Sequence, residues 1–308
     1  MINRVLIRIK VIQILYSYYQ KEDRNLSNVL KELVFSLDKA FELYNSLLLL
    51  LVALRDMAQA RIEHGLAKLL PSPEDLNPNR RFVENRFIVQ LSENASLRDY
   101  EKARKISWTD HSDFVRQLLD RIQASEAYKE YMEAEATDYD KDREFFRVLY
   151  KQFICGNEDL DELLVDDCIY WTDDKETVDT FVLKTIRRFE AKNGADQQLL
   201  PEFRDEEDRN FALSLLENAI KEEKHYRELI QKHMRNWEIG RVAFMDVVIM
   251  QTALAEILTV PGIPVTVSLN EYVDIAKSYS TPKSGGFVNG TLDGVVRTLR
   301  SEHALDFK

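Results

Sequence analysis

Residues 264–293 read PVTVSLNEYVDIAKSYSTPKSGGFVNGTLD, and this stretch restricts the fold more tightly than any other part of the chain. Ser268 and Glu271 stand as S-x-x-E, the capping-box spacing in which each side chain satisfies a backbone N–H at a helix start. Val273, Ala276 and Lys277 follow at helical spacing until Thr281-Pro282, where the proline ends the run. A breaker loop, Lys283-Ser284-Gly285-Gly286, then leads into a second helix opening on Phe287-Val288-Asn289-Gly290, with a polar residue set among apolar ones. The stretch therefore predicts helix, lysine-bearing loop, helix.

The rest of the chain points the same way. Nine glycines and seven prolines in 308 residues are too few for a β-sandwich or a disordered chain, so the expected class is all-α. The length suits one large domain or two ordinary ones. Leu47 to Leu54 is an unbroken apolar octet, well short of the roughly 18–20 residues that span a bilayer, and predicts a buried core helix. Arg8 and Lys10 interrupt the N-terminal apolar run, so no signal peptide is expected. Cys155 and Cys168 have no metal-type spacing, and the five histidines form no H-E-x-x-H array. A reduced, cytoplasmic protein with no metal and no membrane segment is the expectation.

Residues 2–20, INRVLIRIKVIQILYSYYQ, alternate locally like a strand at Ile7, Ile9 and Val11. On a helical wheel, however, apolar residues cover nearly every side, leaving thin polar stripes at Asn3, Lys10, Gln13, Ser17 and at Arg4, Arg8. That is the profile of a largely buried helix. Leu26 to Arg61 reads as one or two long helices, with Ser27 available as a cap, and prolines 71, 73 and 78 mark a linker. Asp208 to Trp237 reads as a long amphipathic helix, followed by a second over Asp246 to Leu258. A faint echo also runs through the chain. Asp142, Phe145 and Trp171 recur as Asp208, Phe211 and Trp237, 66 residues on, and Asp179 as Asp246, 67 on. Either a duplicated helical module or coincidence between two helix-rich stretches produces such matches.

Enzyme signatures are absent: there is no G-x-S-x-G, no G-x-G-x-x-G after a strand and no phosphate-binding G-x-x-x-x-G-K-[ST]. Adjacent carboxylates such as Asp166-Asp167 fit the solvated faces of an acidic chain better than a general acid/base pair. No catalytic residue and no cofactor is expected. The segment N-E-x-x-x-x-A-K, loop, F-V-N-G-x-L-D, carried here by Asn270, Glu271, Ala276, Lys277, Phe287 to Gly290, Leu292 and Asp293, resembles the C-terminal signature of the NusB family of transcription antitermination factors. Gln13-Ile14-Leu15-Tyr16 is similar to the end of the first helix in that family, and Trp237, Arg241, Asp246, Ala253 and Glu256 match a further pattern. Family members are about half this length. The resemblance therefore implies NusB-like helices over 1–70, an inserted helical region over 71–205, and a C-terminal NusB-like bundle over 206–308.

The resemblance also implies a function: binding of boxA-type single-stranded RNA together with the ribosomal protein NusE, within an RNA polymerase antitermination complex that supports ribosomal RNA synthesis. Arg4, Arg8, Lys10 and Lys283 would hold phosphates, and Gln13, Tyr16, Phe287 and Asn289 would contact or stack bases. Asp246 and Glu256 would serve the protein partner, and Gly290 would permit close helix packing. Each has a plainer reading: basic residues as surface charge, tyrosines and Phe287 as core, Asn289 as a local hydrogen-bonding group, the 246–258 helix as interior. The net charge of −11 argues against general nucleic-acid coating, although the first 24 residues carry five basic side chains against two acidic ones. The alternative function is a helical protein-interaction scaffold that no longer binds RNA.

Overall fold

The computed structural model describes residues 1–234, 242–302 and 305. Its regular elements, among the described residues, are helices, in keeping with the all-α expectation. In order they are α1 (Arg4–Gln20), α2 (Leu26–Leu66), α3 (Pro73–Leu76), α4 (Arg86–Ser92), α5 (Ala95–Arg104), α6 (Ser112–Ala124), α7 (Glu126–Glu133) and α8 (Tyr139–Phe153). Then come α9 (Glu158–Asp167), α10 (Lys175–Arg188), α11 (Glu206–Lys221), α12 (Glu223–His233), α13 (Phe244–Thr259), α14 (Val265–Tyr279) and α15 (Ser284–Ser301). Two compact units emerge: Lys39–Pro201 with Met1, and Ile2–Asp38 with Glu202–Lys308. The boundary between them falls inside α2, which runs as one continuous helix from Leu26 to Leu66.

In the Ile2–Asp38/Glu202–Lys308 unit, α13 is the central element, packed against α1, α11, α12, α14 and α15. Its sequence, FMDVVIMQTALAEILT, carries apolar residues on all sides, and Asp246 through Ile257 are buried without a break. The polar side chains in that run are therefore bound to have partners. The Gln251 amide donates to the Tyr19 hydroxyl at 2.6 Å and the Ala219 carbonyl at 2.7 Å. Thr252 donates back to the Val248 carbonyl. Glu256 receives the Arg8 guanidinium in a two-pronged pair, both contacts 2.8 Å, and also accepts from Ser268 at 2.7 Å and Tyr272 at 2.9 Å. Arg8 and Glu256 are 3% and 0% exposed. Burial opposes the Arg8 charge, but the Glu256 hydrogen bonds and neighbouring negative charge outweigh it and hold the guanidinium above its ordinary value. Ile2 adds a backbone bond to the Glu202 carbonyl at 2.8 Å and an isolated parallel bridge to Phe203.

Several local expectations need correction. The S-x-x-E pair does not start α14. The helix begins at Val265, with Pro264 at the cap and its carbonyl accepting from Val267 and Ser268. Proline is tolerated there because it precedes the first helical residue, where its missing N–H removes no intrahelical bond. Ser268 is thereby freed to reach Glu256, and Glu271 to reach Arg8 at 3.4 Å. The helix α15 begins at Ser284, so Gly285 and Gly286 lie in its first turn and not in a loop. The cap of α2 is Asn25, which accepts from the Asn28 N–H, rather than Ser27. The expected long helix from Asp208 breaks at Glu222 into α11 and α12. Trp237 and Arg241 lie outside the described residues.

In the Lys39–Pro201 unit, α8 packs against α4, α6, α7 and α10. An aromatic cluster of Phe82, Phe87, Phe145, Phe146 and Phe189 fills the interior. Leu47–Leu51 and Leu54 are buried, as expected of the apolar octet, and no described helix is long and apolar enough to cross a membrane. The echoed residues have matching surroundings. Asp142 and Asp208 are both buried in the first turn of a helix, and each receives the arginine of an Asn-capped helix: Arg86, through its backbone N–H, after Asn85, and Arg4 after Asn3. Asp179 and Asp246 are both buried on the helices that pack against these, α10 on α8 and α13 on α11.

Removing one member of a buried pair leaves an uncompensated charge, which costs about 3–5 kcal/mol. Arg8→Ala is expected to lose that much stability in chemical denaturation. The double change Arg8→Met, Glu256→Gln, which removes both charges but keeps an acceptor for Ser268 and Tyr272, should recover at least half. A single change without measurable effect would contradict the assignment of this pair.

Candidate nucleic-acid interface

The N-terminus of α13 joins the ends of two other helices. Phe244, its first residue, packs against Tyr16 (ring centroids 5.3 Å apart) and Tyr19 (6.0 Å) at the end of α1. Tyr19 is buried, and burial pushes its phenol up to about 12. Arg227 of α12 lies 4.6 Å over its ring and Arg24 lies 5.3 Å away. Tyr16 keeps part of its ring exposed. The α1 tyrosines therefore divide their roles: Tyr18 and Tyr19 belong to the core and Tyr16 to its edge.

Asp246 holds the other helix end. Its Oδ2 accepts from the Ser284 hydroxyl at 2.8 Å, and that hydroxyl in turn accepts from the Thr281 N–H at 3.1 Å. Asp246 is 4% exposed, and its Oδ1 has no hydrogen-bond partner among the described residues. The start of α15 is thus pinned onto α13, and the tight turn Ser280–Lys283 is fixed with it. A Cβ at Gly285 would lie 2.7 Å from the Lys277 Cγ, so glycine is what allows α15 to approach α14 this closely. Gly290, expected to permit close packing, instead faces open space. Pinned in this way, the first turns of α15 present Lys283, Gly286 and Asn289 to solvent with Phe287 half-exposed. The N–H groups of a helix's first turn have no intrahelical acceptor and attract anions.

The basic stripe of α1 is placed differently from expectation. Arg4 is half-buried, paired to Glu207 at 2.9 Å and Asp208 at 3.3 Å, and lies over Phe211. Arg8 is the buried partner of Glu256, and Lys10 is only 2% exposed. Gln13 is half-buried. Asp246 and Glu256, expected to face a protein partner, are both interior and act as supports. Sequence reasoning missed Phe244, Ser284 and Arg227. Phe244 heads a uniformly apolar run and Ser284 sits between lysine and glycine, so spacing alone gave no signal for either.

These features define an all-helical bundle protein whose first helix is locked into a C-terminal bundle and which presents a lysine, an aromatic ring and an amide at one helix start. The chain belongs to the NusB family: the family model described as NusB matches residues 180–297. A transcription antitermination protein NusB of Salinibacter ruber is 37% identical over 131 residues, 41% of this chain and 82% of that protein. Its namesake in Desulforapulum autotrophicum is 33% identical over 135 residues, 42% of this chain and 94% of that protein. No solved structure matches. The matched region begins inside α10, within the stretch assigned from sequence to an insertion, and the region N-terminal to it is additional. Helix α1 lies outside the match yet packs in the same compact unit as α11 and α13.

Ser284→Ala would leave the Asp246 carboxylate buried with no hydrogen-bond partner at either oxygen among the described residues. Unpaired buried groups of this kind cost about 1–3 kcal/mol. Urea unfolding should register that loss; a variant as stable as the parent would show that the α13–α15 clasp does not hold the site.

Proposed function

We propose that the chain is a cytoplasmic transcription antitermination factor that binds boxA-type single-stranded RNA together with NusE and supports ribosomal RNA transcription. The reading is of a binding protein, not an enzyme. One observation carries it: Lys283, Phe287 and Asn289 stand exposed or half-exposed on a single helix start that α13 ties to the half-exposed Tyr16. The family relatives bear the name transcription antitermination protein. In this reading Lys283 and the α15 N-terminus hold phosphate, Phe287 and Tyr16 stack bases, and Asn289 offers both donor and acceptor to a base edge. Arg4, Arg8 and Lys10 contribute by fixing α1 rather than by touching RNA, and Asp246 and Glu256 by fixing α13. Acidic composition elsewhere is compatible with this, because phosphate binding depends on local charge.

The burial of Arg8 and Lys10 favours a second reading, a protein-interaction scaffold without RNA binding, since it removes two of the expected phosphate contacts. Fluorescence anisotropy with a boxA-type RNA, with and without NusE, separates the two. Lys283→Ala should flatten the salt dependence by about 0.7, the contribution of one single-strand phosphate. Phe287→Ala should weaken binding about fivefold or more at unchanged slope, because stacking on an aromatic is worth ~1–3 kcal/mol per base. No saturable binding with or without NusE would leave the scaffold reading standing.

A further inference from the structure

Phe244 faces two ways. Beside its contact with Tyr16 it lines a cleft of about 910 Å³ bounded by α11, α12 and the start of α13. Four basic residues, Lys221, Lys224, Arg227 and Lys232, border the cleft against two acidic ones, Glu223 and Glu228. In a chain of net charge −11 this is a local excess of the opposite sign. The floor is apolar, from Ile220, Phe244 and Val247. Lys224 is 92% exposed and its contact with Glu228 is a loose 4.0 Å, and Lys221 pairs with Glu217 at the surface. Exposed pairs of this kind exchange partners readily.

Arg227 anchors the inner wall. Its guanidinium lies over Tyr19 and 5.9 Å from the Phe244 ring centre. Its Nε donates to Gln251 at 3.3 Å and its Nη1 meets Glu223 at 3.0 Å, while its Nη2 is buried with no acceptor among the described residues. Packing against two rings fixes the plane of the group.

We propose that this cleft is a second RNA subsite, in which Lys224 and Lys232 take the phosphates of nucleotides continuing from the base stacked at Tyr16, with Phe244 as the platform between them and Arg227 holding that platform in place. The proposal rests on the single-strand RNA reading above and extends it along α12. Two features favour RNA over an acidic protein segment. The cations adjoin a continuous aromatic surface of Phe244 and Tyr16, which nucleic acid bases use and acidic side chains do not. Moreover, the cleft shares Phe244 with the site already assigned to RNA.

The test compares a boxA-type RNA with the same RNA extended at either end by about eight uridines, a length within single-strand site sizes. Lys224 and Lys232 are exposed, so Lys224→Ala/Lys232→Ala in the full chain should fold as the parent does, checked by its melting curve. The parent should bind one of the extended RNAs more tightly and with a steeper salt dependence than the short one. The double variant should lose about tenfold of that gain and about 1.4 of the slope, two single-strand phosphates' worth, with binding of the short RNA unchanged. If extension brings no gain, or the variant keeps it, the subsite is refuted while the primary site stands. Displacement of the extension by polyglutamate at equal charge concentration, leaving the short RNA bound, would also refute it, in favour of an acidic protein partner. If neither RNA binds, both readings fall together.

Discussion

The buried pair between Arg8 and Glu256 is the contact on which the C-terminal bundle depends. It joins side chains 248 residues apart, so the first helix of the chain becomes part of a bundle completed only by its last helices. A guanidinium and a carboxylate removed from water are tolerable only when nearly every lone pair and N–H is used. Here Ser268, Tyr272 and Glu271 complete the set. The apolar surface around the pair supplies the driving force, and the pair supplies register. With Arg8 facing Glu256, the α1 residues about two and three turns on, Tyr16 and Tyr19, are brought to Phe244.

The candidate site follows from that register. Helix α13 is buried from Asp246 to Ile257, and its first turn reaches the edge of the bundle. There it receives Tyr16 through Phe244 and the start of α15 through Asp246 and Ser284. A half-exposed aromatic ring and an anion-attracting helix terminus are thus fixed to one rigid element. Binding groups held this way lose little conformational freedom when a ligand arrives. The same turn lines the basic cleft beside α12, so the proposed path for a longer strand is continuous.

The helical class, the burial of α1 and the helix–turn–helix of α14 and α15 were legible because they rest on local periodicity and breakers. Partnership was not. Arg8 and Lys10 look identical from sequence whether they face water or a carboxylate, and Glu256 is too far along the chain for spacing to reveal the pairing. The capping-box spacing at Ser268 was a real local signal, overridden because Pro264 supports an earlier start and Glu256 offers Ser268 a buried acceptor. The break at Glu222 was hidden because no glycine or proline marks it. Gly285 and Gly290 were confused for a related reason: both suit a helix interior poorly, but only Gly285 has Lys277 pressed against it.

The central claim is that RNA lies across the ends of α1, α13 and α15. Photocrosslinking with a boxA-type RNA carrying 4-thiouridine, followed by peptide mapping, addresses it most directly. Adducts are expected in the peptides containing Tyr16 and Phe287, and none in residues 39–201. Adducts confined to residues 39–201, or absent altogether while NusE is present, would contradict the account.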